Sequence, residues 1–223
     1  MKIIEYPDRD ALIVNVANVL AGALKNALLV QDRVSMAVPG GTTPGPIFDI
    51  LSDTHLDWAR VHIMLTDERW VPQDHPMSNT QLIHDRLITN RASDAHFVPF
   101  YQDGLTAEPG CTATAETLQP HMPLSILMLG MGADMHTASL FPGATGLEAA
   151  MADNAPLLCP IKAADQDIER VTLPAHALKG ALNKHLVIFG DEKRTALDRA
   201  TNLPAMEAPI GVALSGTEIH WAP

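Results

Sequence analysis

The chain has 223 residues, 47% of them hydrophobic, enough for one large α/β domain or two small ones with a sizeable core. With 15 Lys and Arg against 26 Asp and Glu, its formal net charge is −11, which argues against a broad nucleic-acid or anionic-membrane surface. An anionic small substrate is still allowed, because a few local cations can dominate one pocket.

Residues 2–6 read as a short strand, and Asp8 to about Val30 as an Ala/Leu/Val-rich helix without internal proline. The first residues carry early acids and no long apolar stretch, so no signal peptide is expected. No apolar run approaches the roughly 20 residues of a membrane span, and a cytoplasmic protein is expected. Val34–Val38 reads as a strand that breaks at Pro39-Gly40-Gly41-Thr42-Thr43-Pro44, after which Ile47, Ile50 and Leu51 set a helical pattern. Val61–Leu65 is a further strand, ending in Thr66-Asp67-Glu68-Arg69-Trp70. Ser78 caps a helix running to about Thr89. A short strand at Phe97-Val98 and a helix near Glu108–Leu118 lead to a strand at Ser125–Leu129.

Beyond it, Pro156–Lys162 and Glu169–Leu173 read as strands and Pro174–Gly180 as a short helix. His185–Phe189 is a strand, Asp191 to about Asn202 a helix, and Gly211–Trp221 has room for two short strands around Ser215-Gly216. Strands alternating with helices predict an open α/β fold with a parallel sheet. There is no repeat or long linker, so residues 1–223 are expected to form a single domain. Cys111 and Cys159 match no C-x-x-C or zinc spacing and are expected as free thiols.

Chemistry-bearing residues collect just after strands, where α/β sheets bind ligands. At 39–44, Thr43 can cap the following helix and Pro44 suits its first position. Gly40 and Gly41 let an anion approach the backbone at a helix N-terminus, although an ordinary tight turn has the same look. At 66–70, Asp67, Glu68 and Arg69 read either as ligand-binding charges or as a solvated loop with an internal Asp–Arg pair. The third stretch, Gly130-Met-Gly-Ala-Asp-Met-His-Thr-Ala-Ser-Leu-Phe-Pro-Gly143, follows a fully apolar strand. It fails as a dinucleotide fingerprint, with Met135 at the third glycine position. His136 suits general-base chemistry at neutral pH. Asp134 can bond to its ring, fix its tautomer, or serve the loop backbone instead. Ser139 lacks a nucleophile elbow and reads as a helix cap or a substrate hydrogen-bonding group. Arg170 and Lys193, near strand ends, are plausible phosphate clamps, although singly each reads as a surface charge.

Taken together, PGGTTP at 39–44, TDERWVP at 66–72, SN at 78–79, the 130–143 stretch, ERVTL at 169–173 and GDEKRTAL at 190–197 resemble the 6-phosphogluconolactonase family. The resemblance implies a Rossmann-like open, mostly parallel sheet with helices on both faces, as in glucosamine-6-phosphate deaminase and ribose-5-phosphate isomerase. It also implies hydrolysis of 6-phospho-glucono-1,5-lactone in the oxidative pentose phosphate pathway, without metal or cofactor. By position, His136 resembles the general base, with Asp134 beside it. Gly40, Gly41, Thr42 and Thr43 resemble the phosphate loop, joined by Arg170 and Lys193, while Asp67 and Arg69 flank the sugar. The expected partner is a phosphorylated sugar lactone, with no nucleic acid or membrane and the chain a monomer or homodimer. The sequence departs from the family at Met135, where the residue before the histidine is usually glycine; if that position takes a positive φ, methionine is strained there. The alternatives are a sugar-phosphate isomerase or deaminase and a non-catalytic sugar-phosphate binding module. The first is disfavoured because no acid follows His136 until Glu148.

Overall fold

The structure is a computed structural model that describes residues 2–163 and 167–223. The strands are β1 (Lys2–Glu5), β2 (Val34–Val38), β3 (Val61–Leu65), β4 (Asp67–Arg69), β5 (His96–Phe97), β6 (Ile126–Leu129), β7 (Cys159–Ile161), β8 (Arg170–Thr172), β9 (Asn183–Phe189) and β10 (Thr217–Ala222). The helices are α1 (Arg9–Val30), α2 (Gly45–Ser52), α3 (Asn79–Arg86), α4 (Ala107–Leu118), α5 (Leu147–Met151), α6 (Ala175–Lys179) and α7 (Asp191–Ala200).

Seven strands make one sheet in the order β1-β10-β9-β6-β2-β3-β5, all paired parallel. The central strands β2 and β6 are buried along their whole length, which is why they read as continuous apolar runs rather than alternating ones. From β2 the chain moves outward to β3 and β5 on one side, then returns to β6 and continues to β9 and β10 on the other. The order therefore reverses between β2 and β6, and the crevice at their carboxyl ends is the expected ligand position. A second, antiparallel sheet, β4-β8-β7, stands beside that crevice.

Helix α1 is capped by Asp8, whose carboxylate accepts from the Ala11 N–H. Its buried stripe, Leu12, Val16, Leu20, Leu24 and Ala27, follows helical spacing and packs against α2 and β10. Contrary to the expectation that no apolar run approaches span length, α1 is long and apolar enough by length and composition to cross a membrane. That composition serves a stripe packed into the core.

Three further expectations are corrected. The C-terminal region holds one strand, β10, after a 3-10 turn at Pro209–Val212, because Gly216 turns with φ +71° and β10 then inserts between β1 and β9. Helix α2 starts at Gly45 with Pro44 at the cap position and no side-chain cap from Thr43. Residues 67–69 are strand rather than solvated loop. Both cysteines are free and buried; burial pushes the Cys111 thiol up to about 12 and that of Cys159 to about 11.

Candidate active site

Strand β6 ends at Leu129, and the chain enters a tight loop. The Met135 N–H donates to the Gly132 carbonyl at 3.0 Å, and the Gly132 N–H to that of His136 at 3.1 Å. The Thr137 hydroxyl donates to the Gly130 carbonyl at 2.9 Å. Met135 and Ala138 take positive φ, +67° and +49°, the region glycine favours. Backbone strain of this kind gathers at functional sites. It presents His136 with Nδ1 2.6 Å from Asp134 Oδ1, which also accepts from the His136 N–H at 3.3 Å. The carboxylate thus serves both ring and backbone. Gly132 has no alternative: a Cβ there would stand 2.3 Å from the imidazole and 2.4 Å from Asp134 Oδ1.

The small sheet builds the facing wall. In its antiparallel register Arg69 lies opposite Arg170, and Asp67 opposite Thr172, so all four share one face. Asp67 is buried and spent on structure: Oδ1 accepts from the Thr66 hydroxyl at 3.0 Å and Oδ2 from the Ser139 hydroxyl at 2.6 Å. Its ion pair is with Arg170, at 3.6 Å, and no pair to Arg69 forms. Through this bond Ser139 ties the histidine loop to β4. Phe141 joins the two walls, its ring 4.4 Å from that of His136 and 5.2 Å from the Arg170 guanidinium.

Arg69 is held by Asn79, whose Oδ1 accepts from Nη1 at 2.5 Å while its amide donates to the Asp67 carbonyl at 3.1 Å. The buried Arg69 Nε–H has no acceptor among the described residues, and a bound oxyanion would supply one. Asn79 also packs on the glycine loop after β2: a Cβ on Gly40 would collide with its amide at 2.0 Å. Glu68, only 1% exposed, organises this corner. Its carboxylate accepts from the N–H groups of Arg69, Asn79 and Thr80 and the hydroxyls of Ser78 and Thr80, at 2.7 to 3.1 Å. It thereby satisfies the first amides of α3 and complements its dipole.

Gly40, Gly41, Thr43, Asp67, Arg69, His136, Arg170 and Lys193 line one cleft of about 320 Å³, with Asn79, Gly132 and Phe141. Lys193, in the first turn of α7, has no ion-pair partner among the described residues. Two expected residues fall outside: Thr42 is exposed and off the cleft, and Asp134 is exposed and reaches it only through the imidazole. A larger cavity, about 790 Å³, lies elsewhere, beside α4 and α6. Its only imidazole, His176, already bonds to the Ala155 carbonyl at 2.9 Å, so the chemistry favours the smaller cleft. Asn79 and Phe141 lie inside motifs noted in the sequence without a role of their own there, and Glu68, read there as a ligand-binding or solvated charge, is instead buried structure.

A protein-family model described as glucosamine-6-phosphate isomerases/6-phosphogluconolactonase matches residues 7–221. The chain belongs to that family. A 6-phosphogluconolactonase of Rhizobium meliloti is 37% identical over 100% of this chain and 98% of its own. One from Pseudomonas aeruginosa is 36% identical over 92% of this chain and 87% of its own. The crystal structure of a 6-phosphogluconolactonase from Shewanella baltica superposes with a TM-score of 0.95 at 31% identity, covering 100% of this chain and 98% of that one. The family's Rossmann-like α/β fold is thus the fold of this chain.

Proposed function

We propose that this chain hydrolyses 6-phospho-D-glucono-1,5-lactone to 6-phospho-D-gluconate, the second step of the oxidative pentose phosphate pathway, with His136 as general base. The observation that carries the base assignment is the 2.6 Å contact between Asp134 and His136 Nδ1 inside a cleft with three cations on its other walls. A carboxylate accepting the Nδ1–H fixes the tautomer and leaves Nε2 with a free lone pair. Nε2 takes a proton from a water, which attacks C1 of the lactone. The tetrahedral oxyanion is stabilised by Arg69, whose Nε–H has no acceptor among the described residues. The imidazolium then returns the proton to the departing ring oxygen. Gly40, Gly41 and Thr43, with Arg170 and Lys193, hold the 6-phosphate, so binding energy remote from C1 orients it. Asp67 acts by positioning Arg170 and Ser139. No step needs a metal or cofactor.

The whole chain serves as one catalytic domain in the cytoplasm, as monomer or homodimer, with no nucleic-acid or membrane partner. Activity is read as 6-phosphogluconate production above spontaneous hydrolysis, with fresh lactone supplied by glucose-6-phosphate dehydrogenase. His136→Ala is expected to lose roughly 10²–10⁴-fold in kcat; near-normal turnover would sink the base assignment. The family description also covers isomerases, so ammonia release from glucosamine 6-phosphate is the control, and none is expected.

A further inference from the structure

Away from the cleft, Lys2, Glu218 and His185 stand in a row across three neighbouring strands, β1, β10 and β9. His220, two residues further along β10, shares their face. His185 Nδ1 lies 3.3 Å from His220 Nε2 and 4.0 Å from Glu218 Oε2. The three ligand atoms lie within 4.8 Å of one another. Nitrogens bound tetrahedrally to zinc at about 2.0–2.1 Å are roughly 3.3 Å apart, so the two imidazoles already stand at ligating separation. As a plain hydrogen-bonded pair they would leave Glu218 Oε2 beyond hydrogen-bond reach; a cation between the three draws on all of them.

The surroundings suit ligation. Tyr6 Oη lies 2.9 Å from His220 Nδ1, where it can accept the Nδ1–H and leave Nε2 free as a ligand. Lys2 holds Glu218 Oε1 at 3.0 Å, which leaves Oε2 to face the imidazoles. His185 and His220 are buried, while the Glu218 side chain is 37% exposed, giving an ion an entry side. Two imidazoles and one carboxylate suit zinc-class ions better than magnesium or calcium.

We propose that His185, Glu218 and His220 bind one divalent transition-metal ion of the zinc class, clipping β9 to β10 with water completing the coordination. The site is structural and separate from the hydrolytic cleft, which lies at the carboxyl ends of the strands. His185 is the third residue of β9 and Glu218 the second of β10, toward the amino ends.

The test uses the untagged full chain, stripped with EDTA and desalted. Zn²⁺ is titrated by calorimetry, Co²⁺ by visible absorption, and Tm is measured with and without Zn²⁺. One ion per chain, tetrahedral Co²⁺ bands and a raised Tm are expected, with kcat and KM for the lactone unchanged. Glu218→Gln and His185→Gln should each weaken binding by about tenfold or more. A His62→Gln/His121→Gln double variant, which removes part of a separate imidazole group, should bind as wild type does. The proposal is overturned by absence of binding, by binding that survives Glu218→Gln, or by binding lost in the His62/His121 variant. Glu218→Gln, at a partly exposed position, keeps the test decisive if His185→Gln fails to fold.

Discussion

Arg69 and Arg170 sit directly opposite each other across the antiparallel β4–β8 pair. Like charges in that register are destabilising in the free protein; among the described residues Arg170 has an ion pair, with Asp67 at 3.6 Å, and Arg69 has none. An anion between them relieves the repulsion, so the register itself argues for a phosphate or an oxyanion in the cleft. Arg170→Lys keeps the charge but loses the planar fork. It should raise KM roughly 10- to 100-fold, the worth of one or two charge-assisted hydrogen bonds, with a smaller effect on kcat. Inorganic phosphate should raise the Tm of wild type more than that of the variant. A variant with unchanged KM would place the phosphate elsewhere.

Asp134 tests the other wall. Its side chain is half exposed, so it orients the imidazole without sitting in the cleft. Asp134→Asn should lower kcat by about 10- to 100-fold, less than His136→Ala, because the ring can still reach the productive tautomer part of the time. KM should stay within about twofold, since the phosphate grip is untouched. A loss confined to KM would contradict a positioning role.

Much of this site was legible because glycine, proline and charge punctuate strand ends. Pro39–Pro44 after β2 and Gly130–His136 after β6 flank the point where strand order reverses, and both were marked from local residues alone. What stayed hidden depends on partners far along the chain. Ser139 bonds to Asp67, 72 positions away, so its hydroxyl looked free. Glu68 sits in a run of charges that reads as solvated, yet it is buried under the first turn of α3. Strand β4 spans three residues, too few for a period to declare itself. Thr42, part of the Pro39–Pro44 loop by motif, is exposed and does not line the cleft. The His185–Glu218–His220 cluster joins a pair two residues apart on β10 to a histidine more than 30 positions earlier, so only the fold completes it.

Met135 takes a positive φ, +67°, and is only 6% exposed. Left-handed backbone costs a non-glycine residue about 1–2 kcal/mol, while deleting a buried methionine side chain to alanine costs about 2–5 kcal/mol. Burial outweighs strain. Met135→Gly should therefore lower stability by about 2 kcal/mol in urea melts, the difference between the midpoints of those figures. Its kcat should stay within about threefold of wild type, because the Gly132 and Asp134 contacts that hold His136 remain. A variant more stable than wild type would mean that strain, not packing, dominates at this position.

Acid sensitivity should come from histidines outside the cleft. His62 stacks beside His96 and His121, with ring centroids 4.8 and 5.0 Å away. Burial first, then the positive neighbours His121, Arg33 and His96, lower its pKa from 6.5 to about 4. Burial and His185 lower that of His220 likewise to about 4. Between these values the unfolded chain binds protons that the folded chain does not, so stability rises with pH across this window. The contribution is complete above about 6.5 and is lost as pH falls toward 4. Urea midpoints measured from pH 7 down to 4.5 should therefore fall. His62→Gln, a partly exposed site that tolerates the change, should flatten part of that slope while leaving the midpoint at pH 7 within experimental error. An unchanged slope in His62→Gln would assign the acid response to carboxylates instead.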